Sequence, residues 1–213
     1  MGEARLCSQS EEGFWVEITK NAIKSSSPAA MQGIFYYFRL MKTRLIIFGS
    51  LAALFFFILR VQGANLITDA TPLGIINLEF ASTAEELNAV LFGWSNADVK
   101  ANIYIDFVFI PFYVLFFSTA ALACSKAWKS ISMQHAGKSL SKAAYVAGAL
   151  DLVENKFMLD SFAGSFSDFT LMLTNCCAGA KFLLLLVVIL YIVISLPFIS
   201  SIKTNDGSQS LEN

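Results

Sequence analysis

Three stretches of the chain carry almost nothing that water would stabilise. Residues 45–59 are uncharged between Arg44 and Arg60, and residues 107–125 are uncharged, preceded by Tyr104, Ile105 and the single interruption of Asp106. Residues 182–202 form the cleanest run, rich in Leu, Ile and Val, between Lys181 and Lys203. A helix that crosses the hydrocarbon core needs about 20 consecutive apolar residues. Each run therefore predicts a membrane span, and the stems of Arg44 and Arg60 are long enough to carry their charges to the interfaces.

A fourth segment follows a different pattern. Residues 143–159 begin with small side chains (Ala143, Ala144, Ala147, Gly148, Ala149) and then meet Asp151, Glu154, Asn155 and Lys156. A central acid or Lys costs about 2.5–3.5 kcal/mol of insertion free energy. Such a helix spans only if its polar face is covered by protein or lines a wet cavity, and its small residues suit close helix packing. The expected fold is an all-α membrane protein, a four-transmembrane-helix bundle with spans near 43–61, 102–124, 143–160 and 182–202. The bilayer is its first partner.

Charge placement orients the bundle. Lys24, Arg39, Lys42 and Arg44 precede the first span without an acid among them, and Lys126, Lys129, Lys138 and Lys142 follow the second, again without one. Residues 62–101 instead hold Asp69, Glu79, Glu85, Glu86 and Asp98 against Lys100. The positive-inside rule places both termini and the 126–142 loop in the cytoplasm. Residues 1–42 read as a cytoplasmic, disordered tail interrupted at Ser25-Ser26-Ser27-Pro28, and 203–213 as a second short tail. Met41 to Leu59 also resembles the charged and apolar regions of a signal peptide, with Val61-Gln62-Gly63 as a cleavage-like site; an uncleaved first span fits the later charges equally well.

Residues 62–101 form an outer interfacial amphipathic segment. Thr71-Pro72-Leu73-Gly74 reads as a turn, and residues 75–81 are too short to span and too apolar to float. Ser82 is the expected N-cap, with Glu85 completing a capping box. The next helix shows Leu87, Val90 and Leu91 on one face, with Trp94 suited to the headgroup layer.

Composition agrees with this picture. Hydrophobic residues are 56% and charged residues 15% of the 213, with a mean hydropathy of +0.61, beyond what one soluble core hides. The net charge of −1 supplies no basic footprint, so nucleic acid is excluded as a partner. Cys7, Cys124, Cys176 and Cys177 make neither a redox nor a zinc spacing and read as unpaired thiols. His135, the single histidine, falls in the basic loop and reads as a solvated side chain.

The candidate chemistry lies in acids inside the spans. Asp151, Glu154 and Asn155 share one helical face by their spacing. Asn102, Asp106 and Tyr113 form a stripe on span two, and Glu79 lies at the mouth of the bundle. Antiparallel spans bring Asp106 and Glu154 to similar depth. Lys156 points away and pairs with Asp160, so the carboxylates lack an internal counter-ion. Either some are protonated, or a cation sits among them. Asp106, Asp151 and Glu154 are the candidate ligands for a divalent hard cation. A proton relay, and a hydrogen-bonded network that only fixes helix register, fit the same residues.

Three blocks, Gly74-Ile-Ile-Asn-Leu-Glu79-Phe-Ala81, Ile105-Asp106-Phe-Val-Phe-Ile-Pro-Phe-Tyr113 and Gly148-Ala-Leu-Asp151-Leu-Val-Glu154-Asn155, resemble an uncharacterised group of four-span bacterial inner-membrane proteins. The resemblance covers residues 43–200 and implies that location; it carries no activity over. The paired Cys of claudin-like proteins and the C-x-x-C of vitamin K epoxide reductase-like enzymes are absent. Function is thus expected from an acidic outer-leaflet pocket handling a small cationic or polar ligand. A membrane-embedded enzyme acting on a lipid or isoprenoid and a non-catalytic assembly subunit are the alternatives. A transporter needs an inward path as well, and the cytoplasmic halves of spans two and three offer it only Ser118 and Thr119.

Overall fold

The computed structural model describes residues 28–208, and side chains over 39–198. The expected tail over residues 1–27, Cys7 within it, and residues 209–213 lie outside the described residues. The chain divides into two compact units, Met1–Thr43 and Arg44–Asn213, and every candidate site residue belongs to the second.

Among the described residues the structure is all helical, without a strand. Helix α1 is Pro28–Gln62, and a 3-10 turn comes next at Gly63–Leu66. Two short helices succeed it, α2 (Ile75–Glu79) and α3 (Ala84–Leu91). Three long ones complete the fold: α4 (Asn96–Ser125), α5 (Ile131–Phe162) and α6 (Asp168–Ser208). Helix α1 starts at Pro28, well before the expected 43. Pro28 suits a first helical turn, where it loses no hydrogen bond and already has the helical φ, so residues 28–42 are helical where a tail was expected.

Among the described residues, three helices are long and apolar enough to cross a membrane, over Arg39–Leu66, Asn96–Ser125 and Asp168–Phe198. Helix α5 has the length, with 32 residues, or about 48 Å at 1.5 Å per residue. Its Lys138, Lys142, Asp151, Glu154, Lys156 and Asp160 make it more polar than the other three.

Helices α4, α5 and α6 pack on one another through stripes that alternate three and four residues apart. On α5 the buried stripe is Gly137, Ser141, Ala144, Gly148, Asp151, Asn155 and Met158. Gly148 lets α4 approach: a Cβ there would collide with Val114 Cγ2. Helix α1 joins through aromatic rings, Phe55 stacked on Phe112 at 5.3 Å and Phe56 tilted against Phe109 at 6.5 Å.

Residues 63–95 fold into a cap on one end of α4, α5 and α6. The apolar side chains Leu66, Leu78, Leu87, Trp94, Ile103, Met158 and Leu171 form one buried cluster. Its turn depends on Gly74, whose φ of 61° is strained for any residue with a Cβ. Two expectations are corrected in the cap. The N-cap of α3 is Thr83, which accepts from the Glu86 backbone N–H at 3.2 Å, while the Ser82 N–H and hydroxyl donate to Glu86 Oε2. Thr83-x-x-Glu86 is the same capping motif one residue further along, and Ser82 and Glu85 do not form it. Trp94 does not present its ring to lipid or solvent: the ring is buried and Nε1 donates to Thr71 Oγ1 at 3.2 Å, which binds the cap's two arms together.

Candidate functional site

Helix α5 carries its acids inward because the opposite face is apolar. Tyr145, Val146, Leu152 and Val153 are exposed, whereas Asp151, Glu154 and Asn155 are buried. All three point into the junction of α4, α6 and the cap.

Lys181 of α6 occupies that junction. Its ammonium donates to Asp151 Oδ1 at 2.7 Å and to Glu154 Oε1 at 2.8 Å, and it lies 3.4 Å from Glu79 Oε2. The lysine is 5% exposed and also sits over the Phe182 ring, 4.9 Å from its centre. The Tyr113 hydroxyl donates to Asp151 Oδ2 at 2.7 Å, so this carboxylate is held from α4 and α6 together. Asp106 takes no part in the ion pairs with Lys181; it accepts from Asn155 Nδ2 at 2.6 Å. Lys156 pairs with Asp160 near the end of α5, as its spacing predicts.

Six of the seven candidate residues thus converge: Glu79, Asp106, Tyr113, Asp151, Glu154 and Asn155. Asn102 lies on the same side of α4 and lines the same cavity, but outside this cluster: it donates to Gln62 Oε1 of α1 at 2.6 Å, joining those helix ends. The residue missing from the sequence reading is Lys181, the internal counter-ion expected to be absent. By position it flanks the 182–202 run, yet α6 starts at Asp168 and buries it.

Lys181 also corrects the cation reading of Asp106, Asp151 and Glu154. Among the described residues no group of three or more His, Cys, Asp or Glu side chains is placed to hold a metal ion. An ammonium already fills the point where Asp151 and Glu154 meet, and Asp106 faces Asn155 instead.

One ammonium does not balance four carboxyls. Burial pushes Glu79 above the usual carboxylate range, and the nearby Lys181 pulls it down by less. The buried oxygens Glu79 Oε2, Glu154 Oε2 and Asn155 Oδ1 have no hydrogen-bond partner, an arrangement that native interiors rarely tolerate. Asn155 Oδ1 can only accept, and a protonated Glu79 supplies a single donor, so acceptors outnumber donors at this site.

A cavity of about 410 Å³ opens beside this cluster. Glu79, Asn102, Asp106, Tyr113, Asp151, Asn155 and Lys181 form its polar wall, with Arg60 also on the lining; Glu154 lies behind them, outside it. Phe56, Leu59, Ile67, Ile76, Phe109, Phe182 and Leu185 form the apolar wall. The volume falls within the roughly 300–1,000 Å³ of small-molecule sites.

The far end of the bundle is built differently. Ser118 and Ser141 hydroxyls pair across α4 and α5 at 2.8 Å, Trp128 Nε1 donates to Ser195 Oγ at 2.8 Å, and the Tyr191 hydroxyl donates to the Met133 carbonyl at 2.9 Å. No protein-family model, curated protein or solved structure matches the chain.

Proposed function

We propose that the protein is a four-span bundle of the bacterial inner membrane, with both ends cytoplasmic, and that its cavity binds a small polar or cationic ligand from the outer leaflet. The observation that carries the reading is the cavity itself, which sets a wall of carboxylates against a wall of aromatic and aliphatic side chains. The inward-facing acids of α5 and its exposed apolar side favour a fourth span, because a polar helix inserts when its charges are covered by protein. The basic flanks of α1 and α4 favour this orientation. The neutral pairs at the far end favour a site with one mouth, and so a binding site over a transport path.

The test places single cysteines in a cysteine-free background and labels intact cells with thiol reagents of opposite charge. Ile76→Cys lines the cavity and His135→Cys lies in the basic loop. A cationic methanethiosulfonate should modify position 76 from outside at least tenfold faster than an anionic one of similar size, and position 135 should react only after permeabilisation. Equal rates at position 76, or labelling of position 135 in intact cells, overturns the reading.

A further inference from the structure

The polar wall specifies which ligand head it takes. The clearest unpartnered group here is an acceptor: Asn155 is 1% exposed and its Oδ1 has no partner, while Glu79, 7% exposed, has an Oε2 that lacks a hydrogen bond and lies 3.4 Å from the Lys181 ammonium. Both line the cavity. Asp106 lines it too, accepts a hydrogen bond from Asn155, and has no cationic partner among the described residues. Lys181 is committed to Asp151, Glu154 and Glu79. Arg60, the other cation on the lining, is exposed. A ligand head that completes this wall brings positive charge and N–H donors together.

Resting on the proposed pocket, we infer that the ligand is a primary amine with an apolar body. Its ammonium donates to Asp106 and to Asn155 Oδ1, and its body lies against Phe56, Phe109, Phe182 and Leu185. A primary ammonium offers three donors, as Lys does. A quaternary ammonium carries the charge with no N–H, and an alcohol donates one hydrogen bond with no charge. The ring faces on the apolar wall attract the ammonium further.

The full chain in phosphatidylcholine nanodiscs is titrated calorimetrically with hexylamine, hexanol, hexanoate and hexyltrimethylammonium, with empty nanodiscs subtracted. Hexylamine should bind saturably and at least tenfold tighter than the other three. Asp106→Asn should weaken it at least tenfold without lowering the melting temperature, and Leu185→Trp, which fills the apolar side, should abolish it. Because Asp106→Asn keeps the shape of the side chain, a loss caused by misfolding would show as a lowered melting temperature. Asn155→Leu, which removes the acceptor, then decides: retained hexylamine affinity in that variant overturns the inference. If hexanol binds as tightly as hexylamine and Leu185→Trp blocks both, the amine is wrong and the pocket stands. If none of the four binds while position 76 still reacts selectively with the cationic reagent, the amine inference falls alone. Loss of that selectivity removes the pocket reading with it.

Discussion

The two ends of the bundle bury polar groups by opposite means. At the far end, Ser118 with Ser141 and Trp128 with Ser195 form closed neutral pairs. Small residues bring the helices together there, and a Cβ on Gly137 would come within 2.6 Å of Ser125 Cβ. At the cavity end, Glu79, Asp151 and Glu154 meet one lysine, Asp106 faces Asn155, three buried oxygens have no hydrogen-bond partner, and the helices part around a cavity. Both ends hold the same helices. Neutral pairs suffice for that purpose, so the excess charge at the cavity end is more than packing requires, which is what the proposed ligand site would use.

Substitution at Lys181 is the most damaging way to break this comparison. Lys181→Met leaves buried carboxylates without their cation and should cost about 3–5 kcal/mol, the usual penalty for removing one member of a buried ion pair. Unfolding in mixed micelles measures it. Adding Glu154→Gln should recover part of the loss, since the double variant buries less uncompensated charge; a further loss would show that Glu154 contributes through something other than its charge.

Glu79 sharpens the comparison through pH. Its raised value in the fold means that the folded chain keeps a proton which the unfolded chain releases. Stability therefore falls as pH rises from the ordinary carboxylate value of 4.5 towards the raised one. Glu79→Gln should flatten the melting-temperature curve over that interval. A curve unchanged in slope would assign the pH dependence to other groups.

The smallest effect is expected at the far end. Ser118→Ala with Ser141→Ala removes both partners of a neutral pair and should change stability by less than about 1 kcal/mol, whereas either single change strands a buried hydroxyl and should cost more. Comparing the three unfolding curves checks the order.

Much of the site is legible in the sequence. Asp151, Glu154 and Asn155 lie three or four residues apart, and Asp106 and Tyr113 share a face of α4, so helical periodicity alone gathers them. Lys181 escapes that reading because it borders a long apolar run, where a lysine ordinarily marks the interface. A signal is present: Leu171, Thr174, Ala178, Lys181, Leu185, Val188, Tyr191 and Ser195 keep a three–four spacing through the lysine, which puts it in the packing stripe. The cap is harder to read. Trp94 suits an interface by residue type, and only its long-range partner Thr71 reveals it as core. The cap of α3 slips by one residue because Ser82 and Thr83, followed by Glu85 and Glu86, offer two overlapping capping boxes, and composition does not choose between them.

The ion pairs of Lys181 span 27 and 30 positions along the chain, to Glu154 and Asp151. In the four-span reading this sets the order of biogenesis. Asp151 and Glu154 leave the ribosome before the lysine that neutralises them, and each acid alone opposes insertion by about 2.5–3.5 kcal/mol. Helix α5 should therefore wait at the translocon until α6 arrives and enter the bilayer with it as a hairpin. A nascent chain truncated before Lys181 should leave α5 uninserted.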